Sequence, residues 1–104
     1  MSTILDHFNR LTPAEAERLA MLAEECGEVV QIVGKILRHG YGSCHPDNPH
    51  LPNRRMLEKE AGDLYAVLEL MLSEGDIHSC AISDHTMAKQ NAFEKWTHHQ
   101  QGAL

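Results

Sequence analysis

Leu22-Ala23-Glu24-Glu25-Cys26-Gly27-Glu28-Val29-Val30-Gln31-Ile32-Val33 aligns without a gap on Leu57-Glu58-Lys59-Glu60-Ala61-Gly62-Asp63-Leu64-Tyr65-Ala66-Val67-Leu68. Leucine stands on leucine, Glu25 on Glu60, Gly27 on Gly62 and Glu28 on Asp63, and an apolar run follows each time. Residues three apart are neighbours on a helix face, so each copy can aim two carboxylates at one point. Glu25 has Met21, Leu22 and Val29 at its i−4, i−3 and i+4 positions, and Glu60 has Met56, Leu57 and Leu64. Both glutamates therefore fall inside an apolar stripe, with Glu28 and Asp63 toward its edge.

Working outward, Thr12-Pro13-Ala14-Glu15 reads as a helix start: Thr12 caps, Pro13 suits the first turn and Glu15 completes a capping box. Leu19, Leu22, Cys26, Val29, Val30, Val33 and Leu37 continue at helical spacing, and Arg38, His39 and Gly40 make a stop. The first long helix is thus predicted over 13–38, with Cys26 as a core residue. Gly40, Gly42, Pro46, Pro49 and Pro52 make 40–52 a loop. Asn53 is the expected cap of a second helix whose stripe is Leu57, Ala61, Leu64, Leu68, Met71 and Leu72, ended by Gly75. Ser83 or Asp84 is expected to open a third helix through Met87, Ala88, Phe93 and Trp96, and residues 3–10 could form a short leading one. The fold class is all-α, a piece of a helical bundle.

The 104 residues and 11.7 kDa are the size of one domain, 1–104. Apolar residues make up 42%, too many for a disordered tail, while 5% aromatics with no clustering of Val, Ile and Thr argue against a β sandwich or barrel. A chain this short buries only about two-thirds of its unfolded surface, so self-association would help it. Nine basic residues against 15 acidic ones exclude a broad basic face for nucleic acid. A small phosphorylated ligand remains compatible if positive charge is supplied locally. No apolar run approaches the ~20 residues of a membrane span, and Met1–Asp6 carries no signal-peptide pattern. Cys26, Cys44 and Cys80 are an odd number without CxxC spacing, which fits a reduced, cytoplasmic setting.

Burying an unpaired carboxylate costs several kcal/mol, so four at helix interfaces need compensation. Lys35 and Lys59 are placed by spacing on the outer sides of their helices. A hard divalent cation, Mg²⁺ or Mn²⁺, can be reached by Glu25, Glu28, Glu60 and Asp63 together. Gly27 and Gly62 cost about 1 kcal/mol each in mid-helix relative to alanine, which suits a close helix approach or a ligand passing beside them. A ferritin-like di-iron site wants Glu-x-x-His, whereas Gln31 and Asp63 occupy those positions here. His39, Cys44, His45 and His50, with His78 and Cys80 later, match no common zinc spacing. Acidic pairs along a helix are usually a solvated face. The matched duplication inside apolar stripes is what favours the metal reading.

These residues resemble the all-α nucleoside triphosphate pyrophosphohydrolases of the MazG type, whose signature is EExxE and ExxD on successive helices. Glu24-Glu25-Cys26-Gly27-Glu28 and Glu60-Ala61-Gly62-Asp63 match it over roughly residues 15–75. The short phage- and integron-borne members look closest in size and in the Gly/Pro-rich loop. The resemblance implies Mg²⁺-dependent cleavage of an NTP or dNTP to the monophosphate and pyrophosphate, a role in cleaning nucleotide pools, and assembly as a homodimer or homotetramer. By position it implies Glu25, Glu28, Glu60 and Asp63 as metal ligands, Glu24 beside Glu25 as a residue orienting the attacking water, and Lys35 near the phosphates. Lys89, Asn91 and Lys95 on the third helix are candidate substrate contacts by general position. The alternative of another class is a helical dimer that binds nucleotides or a partner helix without turnover.

Overall fold

Thr12 and Glu15 close the capping box that starts the first helix. The Glu15 amide donates to Thr12 Oγ1 at 3.1 Å and the Thr12 amide to Glu15 Oε1 at 2.8 Å. In the computed structural model, which describes residues 8–100, helix α1 runs from Pro13 to His39. It ends where Gly40 adopts φ +88° and returns its N–H to the Ile36 carbonyl at 2.7 Å. That backbone conformation is open to glycine at little cost and to few other residues.

Helix α2 spans Asn53–Ser73 and helix α3 spans Ser79–Trp96. The described residues contain no strand, and the one β element is an isolated bridge between Cys44 and Pro52. The all-α expectation holds. The predicted leading helix lies largely outside the described residues. The chain forms two compact units, Met1–Met71 and Leu72–Leu104.

In the first unit α1 and α2 form a helical hairpin. The loop between them is tied down because α2 draws its caps from it. The amides of Asn53 and Arg54 donate to the carbonyls of Ser43 and Tyr41, both at 2.9 Å, and those of Arg55 and Met56 to Pro52. All four orphan donors of the first turn are thereby satisfied. Asn53 is not the side-chain cap that the sequence suggests. Its side chain is buried and its Nδ2 donates to the Gly40 carbonyl at 3.1 Å, fastening the end of α1 to the start of α2. Arg54 adds a stacking contact, 4.5 Å from the centre of the Tyr41 ring.

The inner face of α1 differs from the stripe predicted for it. Ile32 is buried, and Leu22, Glu25, Glu28, Val29 and Ile36 are partly covered along one side. Leu19, Cys26, Val30, Val33 and Leu37 lie on a second side and are exposed, Val30 at 71% and Leu37 at 82%. The predicted stripe merged two apolar faces because it is wider than the contact one neighbouring helix can cover. Cys26 is accordingly a surface residue rather than core. On α2, Val67 and Met71 are buried.

The second unit holds the Gly75 turn, with φ +82°, and α3. Helix α3 begins at Ser79, four residues before the predicted Ser83, because nothing between Ile77 and Ser83 interrupts helical geometry. His78 precedes it without a side-chain cap bond. No residue of α3 is buried. No helix among the described residues is long and apolar enough to cross a membrane.

Candidate metal centre

Helical periodicity puts Glu25 and Glu28 on the side of α1 that also carries Leu22, Val29 and Ile32. The hairpin turns that side toward Glu60 and Asp63 of α2. One carboxylate oxygen from each of the four residues lies within 4.8 Å of the others. All four residues are partly covered, and the Glu60 side chain is only 13% exposed. Among the described residues this is the one place where three or more His, Cys, Asp or Glu side chains converge. His39, Cys44, His45, His50, His78 and Cys80 gather into no such group.

Two oxygens carry the electrostatic problem. Glu25 Oε2 and Glu60 Oε2 are buried and have no hydrogen-bond partner. A buried polar atom without a partner costs on the order of 1–3 kcal/mol, more when charged. Glu60 shows the strain directly. Its carboxyl is held above the ordinary glutamate range, first by a hydrogen bond shared with Glu28, then by burial and by the negative charge of Glu28.

Lys59 lies on the outer side of α2, as its spacing implies, with its side chain 66% exposed. Its Nζ reaches 2.8 Å from Asp63 Oδ2 and 3.7 Å from Glu60 Oε1. The hydrogen bond to Asp63, followed by the charges of Asp63 and Glu60, raises the lysine pKa. Lys59 thus serves two of the four acids from the solvent side, and the orphaned oxygens of Glu25 and Glu60 lie beyond it. These two oxygens and the all-carboxylate donor set suit a hard divalent cation.

The remaining predicted residues are placed as follows. Glu24 is exposed and stands outside the convergent group. Lys35 is partly covered and lines a cavity at the loop end of the hairpin. Lys89, Asn91 and Lys95 are exposed residues of α3, and Lys95 Nζ lies 5.2 Å from the centre of the Trp96 ring. The group of four is built entirely from the first unit. Close helix approach does not explain the two mid-helix glycines, since a Cβ added at Gly27 or Gly62 would meet nothing within 4 Å.

Spacing did not single out Arg38 for a site and brought in His39 only for the zinc reading it disfavours, although both line that cavity with Lys35. The signal available was their i+3 and i+4 placement after Lys35. No family model, curated protein or solved structure matches this chain.

Proposed function

We propose that this chain is a Mg²⁺-dependent nucleoside triphosphate pyrophosphohydrolase, with Mn²⁺ as an alternative ion. The observation that carries the reading is the pair of buried, unpartnered oxygens on Glu25 and Glu60 inside a convergent set of four carboxylates. The resemblance to MazG-type enzymes supports it through the same residues.

Glu25, Glu28, Glu60 and Asp63 would hold the ion. Bound there, it would bridge an acidic protein to a polyphosphate, polarise a phosphoryl oxygen and lower the pKa of a water molecule. The reaction adds water across an anhydride: a water oxygen bonds to the α-phosphorus, the bond from that phosphorus to the bridging oxygen breaks, and pyrophosphate leaves. The protein's own contribution is positional. Ile32, Val67 and Met71 hold the hairpin core, and the two helices keep the carboxylates aimed together before substrate arrives. Lys59 neutralises Asp63 and Glu60 from the solvent side, which limits repulsion before an ion binds. Glu24 has its part in orienting water from the resemblance alone, as have Lys89, Asn91 and Lys95 in holding substrate.

The same reading includes a homodimer or homotetramer. The exposed apolar side of α1, with Leu19, Val30, Val33 and Leu37, supports it. A helical module that binds nucleotide without turnover would use the same hairpin. The two part in one assay: the protein is incubated with a panel of NTPs and dNTPs plus Mg²⁺, and pyrophosphate is measured. Pyrophosphate release that Glu60→Gln abolishes, with helix content intact, supports the enzyme. Binding without release supports the module.

A further inference from the structure

A cavity of about 610 Å³ opens at the loop end of the hairpin, within the first unit. Lys35, Arg38 and His39 line it from the last turns of α1, Ser43 and Asn48 from the loop, and Met56 from α2. Its size falls in the range of small-molecule sites. It is also preformed, because the amides of Asn53 and Arg54 and the side chain of Asn53 bind the surrounding loop to both helices.

The charge of the lining stands out against the protein's. The chain carries a formal −6, yet no Asp or Glu lines this cavity. Lys35 and Arg38 make no ion pair among the described residues. His45, also in the lining, is engaged with Asp47, its Nδ1 accepting the Asp47 amide at 3.1 Å and lying 3.7 Å from Asp47 Oδ2. Two permanent cations without acidic partners facing a preformed space favour an anion over a neutral group.

The helix register ties the cavity to the carboxylates. Lys35 follows Glu28 by seven residues, two turns along the same face and about 10 Å of axial rise. Arg38 and His39 lie one further turn away. Asn53 and Met56 precede Glu60 by seven and four residues, so both helices present cavity and acids on one side. A single phosphate would fill little of this volume. Leu51, Pro46 and Met56 offer apolar surface to a sugar or base beside it.

We propose that the cavity is an anion subsite for a phosphate group carried on the sugar of the nucleotide, away from the anhydride handled at the four carboxylates. The preferred substrate class is then a nucleoside triphosphate bearing an additional sugar phosphate. This assignment of substrate rests on the pyrophosphohydrolase reading, whereas the subsite itself does not.

Two measurements test it. In metal-free protein with chelator, adenosine 3′-monophosphate and unphosphorylated adenosine are titrated while backbone amide resonances are followed. The expected result is that the phosphorylated ligand shifts Lys35, Arg38 and His39 and binds roughly ten- to a hundredfold more tightly than adenosine, with Arg38→Ala removing the difference. Equal binding of the two, or shifts confined to other residues, overturns the subsite. With Mg²⁺, kcat/KM is compared for ATP and for its 3′-phosphorylated form. A preference of roughly tenfold or more for the latter, collapsing toward equality in Arg38→Ala, supports the substrate class. Equal loss on both substrates means that the cavity holds the common triphosphate tail, and overturns it. Hydrolysis of neither overturns the proposed reaction and this substrate class with it, and leaves the metal-free titration to decide the subsite.

Discussion

Lys59 Nζ stands 2.8 Å from Asp63 Oδ2, one helical turn away, while Glu25 Oε2 and Glu60 Oε2 have no partner at all. The lysine therefore compensates the solvent-facing half of the acidic group and leaves the inner half unsatisfied. An ion entering among the four acids would compete with Lys59 for Asp63. Lys59→Met should consequently lower the melting temperature of metal-free protein and enlarge the rise produced by Mg²⁺. Thermal melts with chelator and with Mg²⁺ give both numbers. If Mg²⁺ raises the melting temperature of neither wild type nor Lys59→Met, the carboxylates do not bind it.

Glu60 predicts a pH dependence whose sign is set by its raised pKa. A folded-state pKa above the unfolded one adds stability that is complete below the ordinary glutamate range, about 4.3, and is lost as the pH rises through the elevated value. Relative to a variant that cannot ionise at this position, metal-free wild type should lose melting temperature over that interval on the way to neutrality. Glu60→Gln cannot ionise, so its curve should lack this loss and lie above wild type at neutral pH. Because the other carboxylates titrate in both proteins, the gap between the two curves isolates Glu60. Curves that run parallel from acid to neutral pH would sink the claim.

Asn53 bridges the two helix ends through its 3.1 Å bond to the Gly40 carbonyl and is buried. Asn53→Ala should cost about 1–3 kcal/mol, since it strands that carbonyl and loosens the loop. Chemical denaturation measures the cost. Asn53→Asp should cost more, because a buried carboxylate faces the same carbonyl without a donor. A loss within error for both variants would show that the clamp contributes nothing to stability.

The sequence revealed the helices and the four acids for a physical reason: caps, breakers and the i, i+3 duplication act locally. Thr12 with Glu15, Gly40 and Gly75 did in the structure what their chemistry demands. Tertiary facts were less legible. That Lys59 folds back over Asp63 depends on a flexible side chain choosing between solvent and a carboxylate. That Asn53 turns to Gly40 rather than capping depends on a loop whose carbonyls already cap α2. The apolar residues of α1 form two sides, and periodicity alone could not say which one α2 would cover.

Gly27 and Gly62 are exposed, and an added Cβ would touch nothing within 4 Å at either. In a lone chain, Gly27→Ala should therefore stabilise α1 by about 1 kcal/mol, the helix propensity difference. A gain of that size, read by thermal melting, means that the space beside Gly27 stays open. A loss of stability, or a gain in stability accompanied by weaker nucleotide binding, means that a second copy or a ligand uses that space.

Val30 and Leu37 lie two turns apart on the side of α1 that α2 leaves uncovered, at 71% and 82% exposure. Covering such side chains is worth roughly 1.5–3 kcal/mol each, so a second copy packed there gains from the pair of them. Light scattering on wild type should report a mass at least twice the 11.7 kDa of one chain. Val30→Glu with Leu37→Glu should return that mass to a single chain, because two carboxylates would have to be desolvated at the contact. Circular dichroism separates dissociation from unfolding, since both substitutions sit on a solvent-facing side of the lone hairpin and leave Ile32, Val67 and Met71 in place. An unchanged oligomeric mass in the double variant puts the contact elsewhere, and a wild type of one chain's mass removes it.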